Sequence, residues 1–318
     1  MSRRTIAIAA ALSVLALGSP LITGCEFSWQ DRNVENGLEK QEKGDYEGAI
    51  DDYTTALEIN PKNTIAYYNR GLAKDSLGDY QGALADYNKA IESNPQYVNA
   101  YINRSKIKLN LGDNEGSLQD SNKAIDIDPS ISLAYVNRCG AKLNLGNNED
   151  AVHDCDKAIE MDPNIPIAFA NRCGAKLNLS DIDSAIEDCD KAIEIDPKIS
   201  VAYTNRCSAK IQKGNNKGAI DDCRESIKID PKNALAYNSL GWAKDELKDY
   251  QGAIIAFNKA IEINPQYAEA YSNRAVSIAL GTNDYGLACK DIQKAASLGH
   301  EYRINWLNSD EGAWCRNM

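Results

Sequence analysis

LAYVNRCGAKLNLGNNEDAVHDCDKAIEMDP, residues Leu133 to Pro163, is the unit from which almost the whole chain is copied. It holds one amphipathic segment from Leu133 to Leu145, a turn-rich break at Gly146, Asn147 and Asn148, and a second amphipathic segment from Ala151 to Met161. Asp162-Pro163 ends the second segment, because proline cannot continue a helix and restricts the residue before it. The pattern predicts a helical hairpin.

Pro61, Pro95, Pro129, Pro163, Pro197, Pro231 and Pro265 stand 34 residues apart without a slip. A fixed period of this size predicts a stacked solenoid, since one hairpin cannot bury its own apolar face and needs neighbours. Six residues after each proline comes an aromatic: Tyr67, Tyr101, Tyr135, Phe169, Tyr203, Tyr237 and Tyr271. Small residues recur where helices must approach closely, as at Ala83 and Ala90, Ala151 and Ala158, and Ala253 and Ala260.

These features resemble the tetratricopeptide repeat (TPR) family. Its pattern asks for an aromatic at position 4, a small residue at 8, Gly at 15, Tyr at 17, Ala at 20, an aromatic at 24, Ala at 27 and Pro at 32; Tyr67, Gly71, Gly78, Tyr80, Ala83, Tyr87, Ala90 and Pro95 supply all eight. Eight repeats fit, starting at Gln30, Thr64, Val98, Ser132, Pro166, Ser200, Ala234 and Ala268. The resemblance implies an all-α fold, a right-handed TPR solenoid of about eight helical hairpins over residues 30–299. Residues 300–318 are expected to cap it, with Tyr302, Ile304, Trp306 and Leu307 of a closing helix at His300–Asn308 covering the last open face. Asn33 at the aromatic position of the first repeat and a one-residue insertion before Ala288 in the last mark irregular end units. Arg at position 7 and Lys at position 11 depart from the family's large apolar residues.

The 318 residues carry a formal charge of -11, and Arg3 and Arg4 are unopposed by any acid before Cys25, so the rest of the chain is more acidic still. Such a surface repels phosphate backbones and argues against nucleic acid as a partner. Residues 1–24 read as an export signal, with basic Arg3 and Arg4, an apolar run from Ile6 to Leu17, and a break at Gly18-Ser19-Pro20 that leaves the run too short to span a bilayer. Ile22-Thr23-Gly24-Cys25 resembles the bacterial lipobox, which implies lipidation of Cys25 and a membrane anchor; residues 25–29 then form a short linker. Glu26 after the lipid cysteine, where Asp would favour inner-membrane retention, points to the outer membrane of the cell envelope.

Positions 2, 6, 9 and 13 share one face of the first helix of each repeat. Position 6 is Asn69, Asn103, Asn137, Asn171, Asn205, Ser239 and Asn273; position 13 includes Asn110, Asn144, Asn178 and Gln212. In TPR relatives this face lines the concave groove, and an asparagine at position 6 clasps the backbone of a bound extended peptide, as a carboxamide that both donates and accepts can do. The apolar residues at position 2 (Ile65, Leu133, Ile167, Val201, Leu235) and position 5 (Tyr68, Ile102, Val136, Ala170) predict small or apolar ligand side chains, with Gly140 and Gly174 leaving room for a close approach. Relatives that grip a terminal carboxylate use Lys or Arg at positions 2 and 6, and none stands there.

Arg at position 7 and Asp at position 23 occur together in Arg70 and Asp86, Arg104 and Asp120, Arg138 and Asp154, Arg172 and Asp188, Arg206 and Asp222, and Arg274 and Asp291; the seventh repeat loses both, as Leu240 and Ala256. The co-occurrence predicts a salt bridge within each repeat. Cys139 and Cys155, Cys173 and Cys189, and Cys207 and Cys223 fill positions 8 and 24 of three consecutive repeats, where other repeats put Gly37 with Tyr53 or Gly71 with Tyr87. The two positions must touch. Three hairpin disulfides with a terminal one between Cys289 and Cys315, or small buried residues filling a tight site, both fit. Two thiolates per repeat with no histidine nearby make a poor zinc site, so no metal or other cofactor is expected.

No P-loop, G-x-S-x-G or H-E-x-x-H pattern occurs, and Ser105 with Lys108 matches S-x-x-K only as part of the repeat, so no catalytic residue is expected. The sequence therefore predicts a membrane-anchored envelope scaffold that binds extended peptide or protein segments. The alternatives are an envelope structural or surface-attachment protein acting through its acidic convex face, and a thiol-exchange enzyme using the cysteine pairs.

Overall fold

The computed structural model describes residues 29–316. The predicted leader, Cys25 and the linker up to residue 28 lie outside the described residues. Among those described, all regular structure is helical. Eight hairpins follow one another: α1 (Trp29–Glu42) with α2 (Tyr46–Ile59), α3 (Thr64–Ser76) with α4 (Tyr80–Ser93), α5 (Val98–Asn110) with α6 (Asn114–Ile127), α7 (Ser132–Asn144) with α8 (Asn148–Met161), α9 (Pro166–Asn178) with α10 (Ile182–Ile195), α11 (Ser200–Gln212) with α12 (Asn216–Ile229), α13 (Ala234–Glu246) with α14 (Tyr250–Ile263), and α15 (Ala268–Thr282) with α16 (Tyr285–Ser297). Two short helices close the chain, α17 (Glu301–Asn308) and α18 (Ala313–Arg316). The helices group into two compact units, one ending at Ser130 with three hairpins and one starting at Ile131 with five hairpins and the closing helices.

Local chemistry sets each boundary. The first helix of a hairpin ends on a left-handed residue, glycine in Gly78, Gly112, Gly146 and Gly214, with Ser180 and Lys248 forced into the same region at φ 63° and 64°. An aspartate caps the second helix in six of the eight hairpins and an asparagine, Asn147 or Asn215, stands there in the other two: Asp79 accepts from the Gly82 N–H and Asp113 from the Gly116 N–H, both at 2.9 Å. At the far end the residue before each proline turns to an extended conformation, and its side chain accepts the N–H two residues on, as Asp196 does from Lys198 at 2.9 Å and Asn264 from Gln266 at 3.0 Å. The insertion in the eighth repeat is absorbed by α15, which turns off at left-handed Asn283.

Alanines let the helices close on one another. Position 3 (Ala66, Ala134, Ala202), position 20 (Ala83, Ala151, Ala185) and position 27 (Ala90, Ala158, Ala192) are fully buried. Positions 8 and 24 meet inside each hairpin: a methyl on Gly71 or Gly241 would stand 2.7 or 2.6 Å from the Tyr87 or Phe257 ring, and Ser105 and Ser121 hydrogen-bond at 2.7 Å. The cysteines at these positions are joined, Cys139 to Cys155, Cys173 to Cys189 and Cys207 to Cys223, with Cα atoms 5.5 Å apart in each pair and every sulfur fully buried. Cys289 is joined to Cys315 of α18. Thiol exchange would need an exposed sulfur, which these pairs do not offer.

The position-7 arginines do more than pair within a repeat. Arg172 lays its Nε and Nη2 on the two oxygens of Asp188 at 2.8 and 2.5 Å and sends Nη1 back to Asp156 of the preceding hairpin at 2.5 Å. Arg206 repeats this on Asp222 and Asp190, and Arg70 on Asp86 and Thr54. The lysine at repeat position 11, read in sequence only as a departure from the family, brings a second cation to the same buried carboxylate: Lys74 to Asp86 and Lys176 to Asp188, both at 2.7 Å. Where the first repeat has Asn36 instead of arginine, Lys40 holds Asp52 alone at 2.8 Å. In the seventh repeat Lys244 turns to Asp249, and the preceding hairpin presents Arg224 where its neighbours present an acceptor to arginine.

The closing helix departs from expectation in part. Trp306 and Leu307 pack on the cluster of Ile278, Cys289, Ile292 and Cys315, but Tyr302 and Ile304 remain 64% and 37% exposed. Eight residues make only a little over two turns, so one face alone reaches the core, and α18, unforeseen in the sequence, supplies the rest through Cys315.

Candidate peptide-binding face

Within the unit from Ile131, α7, α9, α11, α13 and α15 pack on one another in order, so the first helices of the hairpins line one side; in the other unit α1 packs on α3. Positions 2, 6 and 13 lie on these helices. Exposure decides which of their side chains can meet a ligand. Leu133, Ile167, Val201 and Leu235 at position 2 are exposed, as are Asn110, Asn144, Asn178 and Gln212 at position 13. Position 6 is half-buried at Asn103, Asn137, Asn171, Asn205 and Asn273, whereas Asn69 is 6% exposed and presents little surface.

The ladder at position 6 has a second employment that sequence reasoning missed. Asn103 donates to the Tyr68 hydroxyl at 2.9 Å, Asn205 to the Ala170 carbonyl at 3.0 Å and Asn273 to the Asn238 side-chain oxygen at 3.2 Å, each reaching the preceding first helix. Asn178 of the position-13 row likewise donates to Asn148 at 3.0 Å. These bonds fix the amides in place and consume one of two N–H groups, leaving the other N–H and a carbonyl lone pair. Asn171 has no hydrogen-bond partner among the described residues. The separation of 35 residues between donor and acceptor, one period plus one, was the signal available in the sequence.

Two expectations for the ligand face need correction. Ile102, Val136 and Ala170 at position 5 are buried, and Tyr68 packs against the Tyr87 and Tyr97 rings, because position 5 turns in between the second helix of its own hairpin and the start of the next. Gly174 does not leave room for a ligand: a methyl there would stand 3.2 Å from both the Asn205 amide nitrogen and Leu143, so the space beside it is closed by α11 on one side and α7 on the other.

Comparison with known proteins bears on the same repeats. A family model described as TPR repeat matches residues 37–74, and models described as tetratricopeptide repeat match 64–97, 98–131, 134–165, 175–199, 201–233 and 234–267, together well over half of the chain. Among solved structures, a tetratricopeptide repeat protein from Parabacteroides merdae ATCC 43184 is 20% identical over 79% of this chain and 99% of its own, with a TM-score of 0.62. The Cut9-Hcn1 hetero-tetramer of the APC/C is 15% identical over 93% of this chain and 56% of its own, with a TM-score of 0.67. At such identities the likeness is one of fold. No curated protein sequence matches this one. The unbroken period, the eight hairpins it folds into and the repeat-by-repeat match together place the chain in the tetratricopeptide repeat family of protein-binding scaffolds.

Proposed function

We propose that the chain is a non-catalytic scaffold of the bacterial cell envelope, anchored in a membrane through lipidated Cys25 and with the outer membrane favoured, that holds extended polypeptide segments against the first helices of its hairpins. The observation that carries this reading is Asn171, a half-buried amide with both hydrogen-bonding ends unspent, set in a row of amides that their neighbours hold in place. The exposed aliphatic row at Leu133, Ile167, Val201 and Leu235 runs beside it and suits small apolar side chains. Among the described residues no helix is long and apolar enough to cross a membrane.

Asn171→Ala should weaken binding of a labelled Ala/Ser/Val decapeptide pool by about fivefold to tenfold, as expected for one or two lost hydrogen bonds, and leave the unfolding midpoint unchanged. Unaltered affinity removes the ladder from the mechanism. A photo-crosslinking residue at Ile167 should capture a partner in envelope preparations and one at the exposed Ile255 of α14 should not; the reverse pattern favours attachment through the acidic convex face. Cys25→Ser should shift the protein from the membrane to the soluble fraction.

A further inference from the structure

Arg303 on α17 breaks the rule that the other half-buried arginines keep. Those at position 7 lay the Nε–Nη2 edge of the guanidinium on an aspartate. Arg303 lays the same edge on Ser272, with Nε donating to the hydroxyl at 2.8 Å and Nη2 to the carbonyl oxygen at 3.1 Å, and stacks 5.3 Å from the centre of the Tyr302 ring. No described carboxylate forms an ion pair with it, and Nη1 has no hydrogen-bond partner among the described residues. Burial lowers its pKa, whereas for Arg172 and Arg206 the same effect of burial is more than offset by their aspartates.

Arg303 lines a shallow, open cleft of about 690 Å³ at the first turns of α15 and α17, which His300 and Asn273 also line. His300 caps α17 without a side-chain hydrogen bond, and its Nδ1 is buried with no partner. A partly buried guanidinium without an anion is a costly arrangement, and its open Nη1–Nη2 edge has the fork spacing of a carboxylate.

We propose that this cleft binds a single carboxylate of the polypeptide held along the first helices, a site on the closing helix that rests on the reading of that face as a peptide-binding surface. The carboxylate sits on the Nη1–Nη2 edge of Arg303, the one edge of the guanidinium that Ser272 leaves unused. Glu269 and Glu301, both exposed on the rim, repel a run of acids or a phosphate more strongly than a single charge, which leaves one carboxylate, either a chain terminus or an isolated acidic side chain, as the favoured anion.

The test uses the full chain and three pools of decapeptides randomised in Ala, Ser and Val and tagged with an uncharged BODIPY dye. One pool ends in a free carboxylate, one in an amide, and one in an amide with a single internal Asp. The wild type should prefer one or both carboxylate pools over the plain amide by about tenfold or more, and which pool wins identifies the source of the carboxylate. Arg303→Gln should bring the preferred pool down to the amide level and leave amide binding unchanged. A preference that survives Arg303→Gln, or a wild type that binds all pools equally, overturns the cleft and leaves the peptide-binding face standing; a wild type that binds none removes both. If Gln loosens the cap, Arg303→Lys keeps the charge and loses the fork, so its preference should fall severalfold, and an undiminished one is equally fatal.

Discussion

At the scale of single residues the recurring unit is a buried carboxylate between two cations. Asp188 holds the Arg172 fork and Lys176 Nζ, and the arginine continues to Asp156 of the hairpin before, so one side chain ties a hairpin together and to its neighbour. Removing one member leaves a desolvated charge, which is why the seventh repeat changes both, to Leu240 and Ala256. Arg172→Leu alone should cost about 3 kcal/mol and the pair Arg172→Leu with Asp188→Ala clearly less, since Lys176 can then turn to Asp181 as Lys244 turns to Asp249; urea unfolding of both variants checks the order. Lys248 holds the left-handed turn position that glycine holds elsewhere, so Lys248→Gly should raise stability by about 1 kcal/mol in the same assay.

At the scale of the element, the hairpin is specified by what fits between its two helices at positions 8 and 24. Glycine against a ring, serine against serine and cysteine joined to cysteine are three solutions to one narrow gap. They should be exchangeable as pairs and not singly. Gly241→Cys with Phe257→Cys should form a fourth hairpin disulfide, seen as a linked peptide in a non-reducing mass-spectrometric map, whereas Gly241→Ala alone drives a methyl into the Phe257 ring and should lower the unfolding midpoint.

For the molecule as a whole, covalent links are unevenly shared. Among the described residues all four disulfides lie in the unit from Ile131, and the helices of the other unit are held by packing and ion pairs. Each hairpin link closes a short loop and contributes about 3 kcal/mol through the unfolded chain. Reduced in denaturant, where the buried sulfurs become accessible, and refolded with its thiols free, the chain should therefore show faster amide exchange in the helices between Ser132 and Arg316 and unchanged exchange in those between Tyr46 and Ile127, read by peptide-level mass spectrometry; acceleration in both would contradict this division. The fold was legible in the sequence because a solenoid is built from local contacts: the 34-residue period, the Asp-Pro stops, the small residues and the Arg-Asp and Cys-Cys co-occurrences all report neighbours within one hairpin, and a repeated sequence shows each of them several times. What the sequence could not supply was the direction of side chains between hairpins. Only the tertiary structure decided that Ile102 and Val136 turn inward, that the room beside Gly174 belongs to Asn205, that position-6 amides brace the preceding helix, and that Arg303 is left without an acid. Those outcomes depend on how one helix is rotated against the next, and a periodic pattern states which residues share a face without stating what stands opposite it.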